Sequence, residues 1–320
     1  MAAEDDGADA AADGADAAVA FGNAKVTADE PTDEQGDERR FEDLNKQLYD
    51  PVPTDACLYG KSNFWDGRYM QNEEVFEWYH DYAALHKIIS RYVDPEMSIL
   101  HAGCGNSELC EHMVDDGYEK ITNIDFSRVV IDQMKEKYGE GENCSLGEDV
   151  IFHQMDFTDM QGEYEDKIYE AVIDKAAMDA LYCAELGAKK VKKALDEFDR
   201  VLTNNGVYIS ISYGRPENRL TEFDNDDPED SGFLSWNVAV HTIPKPTVNP
   251  YTVVDMKNLD ELYFVYVCTK DQKLAREKDD KREKERMIKL GLYKKKKKGM
   301  RPARVNKRSE ARKAQDGGML

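Results

Sequence analysis

A short apolar run, residues 98–102, ends in a Gly-x-Gly turn at Gly103 and Gly105. The run has the length and apolar character of a buried strand, and the residues after it favour the start of a helix. A strand, a glycine turn and a helix form the unit from which nucleotide-binding α/β folds are built. The turn therefore predicts a Rossmann-like sheet with a ligand at the carboxyl end of this strand.

One position after the turn argues against a dinucleotide. Dinucleotide sites place a third glycine three residues after the second, where the helix N-terminus meets the pyrophosphate. Here that residue is Glu108. A carboxylate in the first helical turn suits the helix dipole but repels a bound phosphate. The pattern favours a ligand with an adenosine and no phosphate, a description that S-adenosylmethionine fits.

The two ends of the chain differ from its centre in composition. Residues 1–40 are rich in Ala, Asp, Glu and Gly and nearly lack large apolar side chains, which predicts a disordered acidic tail. Residues 271–320 predict a basic tail that is partly helical or disordered, with an exposed helix over residues 273–292. Residues 41–270 are left as one folded domain. This domain is strongly acidic, because the whole chain carries a net charge of −22 despite its basic tail.

These charges favour two opposite kinds of partner. The acidic domain favours a basic protein substrate, and the basic tail favours RNA or ribosomes, although two tails that only aid solubility explain the charges equally well. The sequence has no apolar run of membrane-spanning length, no secretory signal, and six scattered cysteines without metal-ligand spacing. We therefore expect a cytoplasmic protein without membrane or metal, unless the lysine run at 294–298 is a nuclear address.

Apolar runs alternate with amphipathic segments between residues 97 and 270, which is typical of a parallel sheet flanked by helices. The predicted strands cover residues 98–102, 120–124, 150–155, 169–173, 207–213, 234–242 and 262–269. The predicted helices cover residues 107–116, 127–138 and 189–202, with Ser107 and Ser127 as N-caps. No helical pattern separates the last two strands, which predicts a terminal antiparallel hairpin. The result is an α/β, Rossmann-like, seven-stranded methyltransferase sheet, with a long polar loop over residues 215–232.

Eight aromatic side chains lie ahead of the sheet, within residues 64–92. A helical segment packed on the sheet and a lid over the ligand both explain them, and packing is the more common role of such residues. Trp65 and Trp78 are nevertheless candidate site residues. Aromatic faces can hold a sulfonium by a cation–π contact worth about 1 to 2 kcal/mol.

Four successive strands of the predicted sheet end in polar or glycine signals, at the edge where doubly wound folds bind ligands. Asp125 lies about twenty residues beyond the turn, where a carboxylate accepts from ribose hydroxyls. Asp156 can accept from an adenine amino group, with Phe157 against the ring. Asp174 and Lys175 end the fourth strand, where the methyl donor and acceptor would meet, and are the candidate catalytic residues. Each has a competing explanation. Asp125 can cap the helix that begins at Ser127, Asp156 can be a solvated loop carboxylate, and Asp174 with Lys175 can form a surface ion pair.

Methyl transfer from a sulfonium sets requirements for such a site. It is an in-line displacement, so the protein mainly positions the two reactants and excludes water. A lysine acceptor must be neutral, which costs about 4 to 5 kcal/mol at pH 7 for an amine with a pKa near 10.4. Carboxylates raise this cost, whereas desolvation and a nearby cation such as Lys175 lower it.

Several sequence blocks carry a family resemblance. They are Phe64-Trp65-Asp66-Gly67-Arg68-Tyr69, Phe76-Glu77-Trp78-Tyr79, Gly103-Cys104-Gly105-Asn106-Ser107, Asn123-Ile124-Asp125, and Val172-Ile173-Asp174-Lys175 followed by Leu181. Over residues 64–270 the chain resembles the methyltransferase-like 13 group, which includes the lysine methyltransferases of eukaryotic elongation factor 1A. The resemblance implies an S-adenosylmethionine-dependent protein-lysine methyltransferase with an elongation factor 1A-like substrate. The cofactor contacts that it implies are Trp65, Tyr69, Trp78, Gly103, Asp125, Phe126, Asp156, Phe157 and Lys175.

The chain departs from this family beside the predicted acceptor. Where the family usually reads Asp-Lys-Gly-Thr, this chain has alanines at Ala176 and Ala177. If the family's glycine adopts a positive φ, Ala176 is strained. His101 stands where many methyltransferases carry an acidic residue, and we expect a hydrogen-bonded structural histidine there.

Three functions stay open at this point. The first is lysine methylation of a basic protein. The second is a spermidine-synthase-like aminopropyltransferase, which shares the sheet and would direct an acidic pair at a polyamine. The third is a cofactor-binding scaffold without turnover, tethered to RNA or ribosomes by the basic tail, in which Ala176 and Ala177 have removed activity.

Overall fold

The computed structural model describes residues 18–21, 24–28, 56–224, 234–247 and 254–290. The strands in these ranges are β1 (Ala18–Phe21), β2 (Ala24–Ala28), β3 (Ser98–Ala102), β4 (Lys120–Asp125), β5 (Val150–Gln154), β6 (Tyr169–Lys175), β7 (Leu202–Ser212), β8 (Trp236–Pro244) and β9 (Leu262–Lys270). The α-helices are α1 (Ser62–Gln71), α2 (Tyr82–Tyr92), α3 (Leu109–Asp115), α4 (Arg128–Tyr138), α5 (Ala177–Tyr182), α6 (Gly187–Val201), α7 (Pro216–Phe223) and α8 (Gln272–Lys289).

All strands join one sheet in the order β1-β2-β8-β9-β7-β6-β3-β4-β5. Strands β5, β4, β3, β6 and β7 run parallel, and β9 lies antiparallel between β7 and β8. The predicted seven-stranded sheet with its terminal antiparallel hairpin is therefore confirmed. The chain winds outward from β3 to β5 and then returns to place β6 on the other side of β3. This reversal is the switch point at which doubly wound sheets bind ligands.

Side chains of the central strands alternate between two hydrophobic cores, as the strand period of two requires. In β3, Ile99 packs in the core that also holds helices α2 and α4, whereas Leu100 packs in the core that holds α6. Helix α6 buries Val191, Leu195 and Phe198 at helical spacing. Both faces of the sheet are thus covered, and the strand ends form its accessible edge.

Two helix starts follow from local capping. The Ser127 hydroxyl accepts from the Val130 N–H at 3.4 Å, which confirms the predicted cap of α4. The start of α3 differs from the prediction by one residue, because Glu108 holds the cap position. Ser107 instead accepts from the Leu109 N–H at 3.1 Å.

The structure differs from the prediction in four further segments. Residues 216–223 form helix α7 within the predicted loop, residues 177–182 form the unpredicted helix α5, and β7 begins directly after α6. Within residues 1–40, two strands lie at the sheet edge, where β2 pairs with β8 through backbone hydrogen bonds that composition does not indicate. The rest of that predicted tail lies outside the described residues, as does the basic run beyond residue 290.

Helix α8 confirms the predicted helix over residues 273–289, whereas residues 291 and 292 of the prediction lie outside the described ranges. None of the helices within the described ranges is long and apolar enough to cross a membrane. The same ranges contain no cluster of three His, Cys, Asp or Glu side chains suited to a metal ion.

Candidate active site

A cavity of about 720 Å³ lies where the carboxyl ends of β3, β4 and β6 meet. Its volume is within the range of about 300 to 1,000 Å³ that is usual for small-molecule sites. Every predicted cofactor contact lines it, namely Trp65, Tyr69, Trp78, Gly103, Gly105, Asp125, Phe126, Asp156, Phe157 and Lys175. The predicted catalytic residue Asp174 does not line it.

The two turn glycines have backbone conformations that other residues rarely adopt, with φ of 66° at Gly103 and 52° at Gly105. A Cβ on Gly103 would lie 2.3 Å from the Cβ of Ala177, and one on Gly105 would lie 2.8 Å from the Tyr69 hydroxyl. The absent side chains therefore let helix α5 and the Tyr69 side chain approach the turn closely.

Asp125 at the end of β4 organises the turn and is itself buried. One carboxylate oxygen accepts from the Gly105 N–H at 3.0 Å, and the other accepts from the Ser127 N–H at 2.9 Å. Each oxygen keeps a second lone pair for a ligand hydroxyl. Burial raises the pKa of the Asp125 carboxyl to about 6, although these backbone donors oppose the rise.

The end of β5 contributes a ring and a carboxylate. Phe157 is buried and packs against Phe198, with ring centroids 5.5 Å apart. Asp156 is exposed, and one of its oxygens accepts from the Thr158 N–H at 2.8 Å. Phe126 lines the same cavity from the end of β4. These positions match an apolar slot for a base with a hydrogen-bond acceptor beside it.

Glu77 is a site residue that the sequence analysis did not single out. Its carboxylate accepts from the Ser107 hydroxyl at 2.8 and 2.9 Å and from the Glu108 N–H at 2.7 Å. The protein's own carboxylate thus lies where a dinucleotide would place its pyrophosphate. The Glu108 carboxylate points away from this position, to Lys137 at 3.1 Å. Glu77, rather than Glu108, is therefore the carboxylate that disfavours a phosphate-bearing ligand.

Lys175 forms a buried ion pair with Glu77, and its ammonium also donates to the Trp78 carbonyl at 3.1 Å. The side chains of the pair are 2% and 11% exposed. Because the Glu77 carboxylate compensates the charge of the Lys175 ammonium directly, Lys175 has little electrostatic effect on the cavity. Its main role is structural. Lys175 ties the end of β6 to residues 72–81, an irregular segment that we call the strap.

The strap and helix α1 supply further aromatic side chains of the lining. Trp65 stacks on Tyr69 with centroids 6.0 Å apart and meets Trp78 edge-on at 6.2 Å. The Trp65 indole donates to the Tyr59 carbonyl at 2.7 Å, which fixes its orientation. The two explanations for the aromatic segment both apply, because α2 packs in the core while α1 and the strap face the cavity.

Asp179 of α5 is a second residue that the sequence analysis missed. Its oxygens accept from the Tyr79 hydroxyl at 2.7 Å, the Ser212 hydroxyl at 2.6 Å, the Tyr213 N–H at 2.9 Å and the Arg219 guanidinium at 2.9 Å. We call these five residues the Asp179 cluster. It joins the strap to α5, β7 and α7, and all of it except Ser212 lines the cavity.

Asp174 lies behind the cavity rather than in it. It is 1% exposed and accepts from the Met178 N–H and the Tyr208 hydroxyl, both at 2.8 Å. Burial raises the pKa of its carboxyl to about 6. The surface ion pair with Lys175 is absent, since neighbours in a strand point to opposite faces.

His101 is a buried histidine with a defined partner, as predicted. Its Nδ1 lies 2.9 Å from the Asn123 Oδ1, while the Asn123 amide nitrogen points to the Cys110 sulfur at 3.2 Å. An Asn123 oxygen at that position requires the proton on Nδ1. Burial lowers the pKa of His101 to about 4, so the ring is neutral near pH 7.

Ala176 has the left-handed conformation expected of the family's glycine, with a φ of 69°. For an alanine this costs about 1 to 2 kcal/mol, and glycine's extra entropy in the unfolded chain offsets about 0.5 to 1 kcal/mol of the gain on replacement. We expect Ala176→Gly to raise the free energy of unfolding by up to about 1.5 kcal/mol in urea denaturation. Ala177→Gly is the matched control, without positive φ, and should lower it. Equal destabilisation by both would show that Ala176 is not strained.

The pKa of Asp125 predicts how pH affects ligand binding. Because the ionised carboxylate is the better acceptor for ribose hydroxyls, affinity for S-adenosylmethionine should fall up to tenfold per pH unit below about 6. Titration calorimetry between pH 5 and 7 measures this. Asp125→Asn should bind weakly at every pH. A persisting pH dependence in that variant would assign the effect to another group, such as Asp174.

The residues present fit S-adenosylmethionine. Asp125 offers both carboxylate oxygens to a ribose diol, Phe157 offers a face to a base, and the tryptophans offer faces to a sulfonium. Glu77 fills the phosphate position, which such a ligand leaves unused.

Comparison with known proteins agrees with this geometry. Residues 93–282 match a family model described as a methyltransferase domain. The chain is 37% identical over 164 residues to the eEF1A lysine and N-terminal methyltransferase of Mus musculus, which covers 50% of this chain and 22% of that protein. The Xenopus laevis protein of that name is 29% identical over 232 residues, or 71% of this chain and 31% of that protein. EEF1A lysine methyltransferase 4 of Mus musculus is 26% identical over 182 residues, which cover 54% of this chain and 68% of that protein. The chain thus spans about a fifth of the first of these relatives.

Proposed function

Since this chain belongs to the methyltransferase-domain family, whose model matches more than half of it, we propose that it transfers a methyl group from S-adenosylmethionine to a lysine amine of an elongation factor 1A-like protein. The single observation that carries the proposal is the cavity in which Asp125 and the aromatic lining meet while Glu77 fills the phosphate position. The names of the relatives support the choice of substrate.

When bound, S-adenosylmethionine supplies an electrophilic methyl group on a sulfonium. Asp125 would hold the ribose, Phe157 the base, and Trp65 and Trp78 the methionyl side. The Glu77–Lys175 pair fixes the strap beside the turn, so the aromatic lining stays in place and excludes water. The protein thus contributes positioning and desolvation, which a displacement of this kind needs most.

The acceptor amine has to lose its proton before it reacts. His101 is neutral but a weak base, because burial lowers its pKa to about 4. The Asp179 carboxylate already accepts four hydrogen bonds, so it offers a lysine ammonium no further lone pair. The cavity lining, aromatic and with its carboxylate lone pairs occupied, therefore favours a neutral amine by desolvation. The lysine ammonium loses its proton to solvent before the side chain binds.

The saturation of Asp179 and Glu77 also bears on the aminopropyltransferase alternative. A polyamine acceptor needs carboxylates with free oxygens, whereas both of these carboxylates have their oxygens occupied by protein donors. We expect titration calorimetry to find tighter binding of S-adenosylmethionine than of its decarboxylated form. The opposite preference would overturn the proposed reaction.

Contact of the basic tail with RNA or ribosomes stays a prediction, as does a cytoplasmic location. We expect salt-sensitive RNA binding that is lost when the residues after Lys270 are removed. RNA binding that survives this truncation would place the RNA contact elsewhere.

A further inference from the structure

Three contacts hold Arg219 of helix α7 in the wall of the cavity, and only its bond to Asp179 has entered the proposed function. Its guanidinium carbon lies 3.7 Å from the centroid of the Tyr182 ring. On the other side, a Cβ added to Gly214 would lie only 2.4 Å from the Arg219 Nε. The guanidinium is thus sandwiched between an aromatic face and a glycine backbone. Its Nη2 donates to Asp179 at 2.9 Å, which fixes its rotation in that plane.

Most of the hydrogen-bonding capacity of Arg219 is unused. A guanidinium has five N–H donors, and among the described residues the only acceptor for this one is Asp179. The Nε is buried without any acceptor in those ranges. The side chain is 12% exposed and lines the cavity. A rigid, largely desolvated guanidinium with unused donors is an arrangement that binds an oxygen acceptor.

The charge balance selects the class of acceptor. Asp179 already neutralises Arg219, so a second carboxylate at the guanidinium would face the Asp179 charge as well. A neutral carbonyl oxygen meets the unused donors without that repulsion. Resting on the proposed function, we propose that Arg219 determines specificity for a polypeptide by donating to a main-chain carbonyl of the substrate near the target lysine.

Gly214 helps to hold the Arg219 guanidinium in position. Its N–H donates to the Ser212 hydroxyl at 2.9 Å, and its carbonyl accepts from the Tyr266 hydroxyl at 2.5 Å. These bonds hold the glycine backbone against the guanidinium. A methyl group at this position displaces Arg219 without changing its chemistry, which makes Gly214→Ala an independent test.

The experiment compares steady-state methylation of recombinant elongation factor 1A by the wild type, Arg219→Lys and Gly214→Ala, with cofactor affinity measured by calorimetry. Arg219→Lys keeps the charge beside Asp179 but loses the planar fork. We expect KM for the protein substrate to rise at least tenfold in both variants, with kcat changed less than threefold and cofactor affinity unchanged. Arg215→Lys is the matched control, because Arg215 pairs with Asp260 outside the cavity, and it should behave as the wild type.

An unchanged KM in Arg219→Lys would overturn this inference, as would loss of cofactor binding in both variants, since the guanidinium would then serve the fold. The wild-type measurement tests the proposed function separately. If the wild type methylates a different protein in a lysate, the proposed substrate is wrong, and the same KM ratio on that protein still decides the role of Arg219. A wild type that methylates no protein overturns both.

Discussion

Replacing Asp125 by alanine is expected to weaken S-adenosylmethionine binding by roughly 100- to 10,000-fold. The expected loss is two charge-assisted hydrogen bonds to ribose, each worth about 1.5 to 3 kcal/mol, at 1.4 kcal/mol per factor of ten. The substitution also leaves the Gly105 and Ser127 N–H groups without their acceptor, which loosens the turn. Titration calorimetry with the purified protein gives both the affinity and the fraction of competent sites.

Asp132→Ala is the matched control for this change. Asp132 lies in α4, the helix that follows Asp125, is 63% exposed, and pairs only with exposed Arg128 among the residues described. Its removal should change affinity less than twofold. Wild-type affinity in Asp125→Ala would mean that the cavity holds its ligand in another way, and the assignment of β4 to ribose binding would fail.

Replacing Glu77 by alanine should destabilise the protein by about 3 to 5 kcal/mol, because it leaves the Lys175 ammonium buried without its ion-pair partner. The Ser107 hydroxyl and the Glu108 N–H lose an acceptor at the same time. Urea denaturation measures the change. The double variant Glu77→Gln with Lys175→Met removes both charges and should recover a large part of the loss.

An exposed ion pair provides the comparison. Lys135 and Glu140 lie 2.7 Å apart with side chains 30% and 65% exposed, so Glu140→Ala should cost less than about 1 kcal/mol. A similarly small cost for Glu77→Ala would contradict the role of the pair as the anchor of the strap.

The strand-end residues of the site could be predicted because crossover topology dictates them. Once the glycine turn marks β3, the residues after β4 and β5 must lie at the same edge of the sheet, and Asp125 and Asp156 do. The two-residue period of a strand also explains why the prediction that Asp174 faces the cavity is wrong. Only one of two neighbours in β6 can face the cavity, and it is Lys175.

The remaining site residues come from segments whose position local sequence does not determine. Glu77 lies in the strap, which has no regular structure and takes its path from contacts with Ser107 and Lys175. Arg219 lies in α7, which begins at Pro216 within the segment predicted as a loop. Proline at the first position of a helix is compatible with helix formation, so the residue marked a helix start. Only the tertiary structure shows that Glu77 and Arg219 lie at the site.

Ala176 shows a departure from the family that the fold accommodates. The sequence comparison predicts strain at this position, and the positive φ confirms it. Ala177 nevertheless packs against the turn, where Gly103 leaves space for it. The strain is local, so we do not expect these alanines to abolish turnover.

The most direct test of the central claim is transfer of a labelled methyl group from S-adenosylmethionine to recombinant elongation factor 1A, with mass spectrometry of the product. We expect label on a lysine side chain with the wild type and none above background with Asp125→Ala. Cofactor binding without label in elongation factor 1A or any protein of a lysate would contradict it and favour the scaffold without turnover.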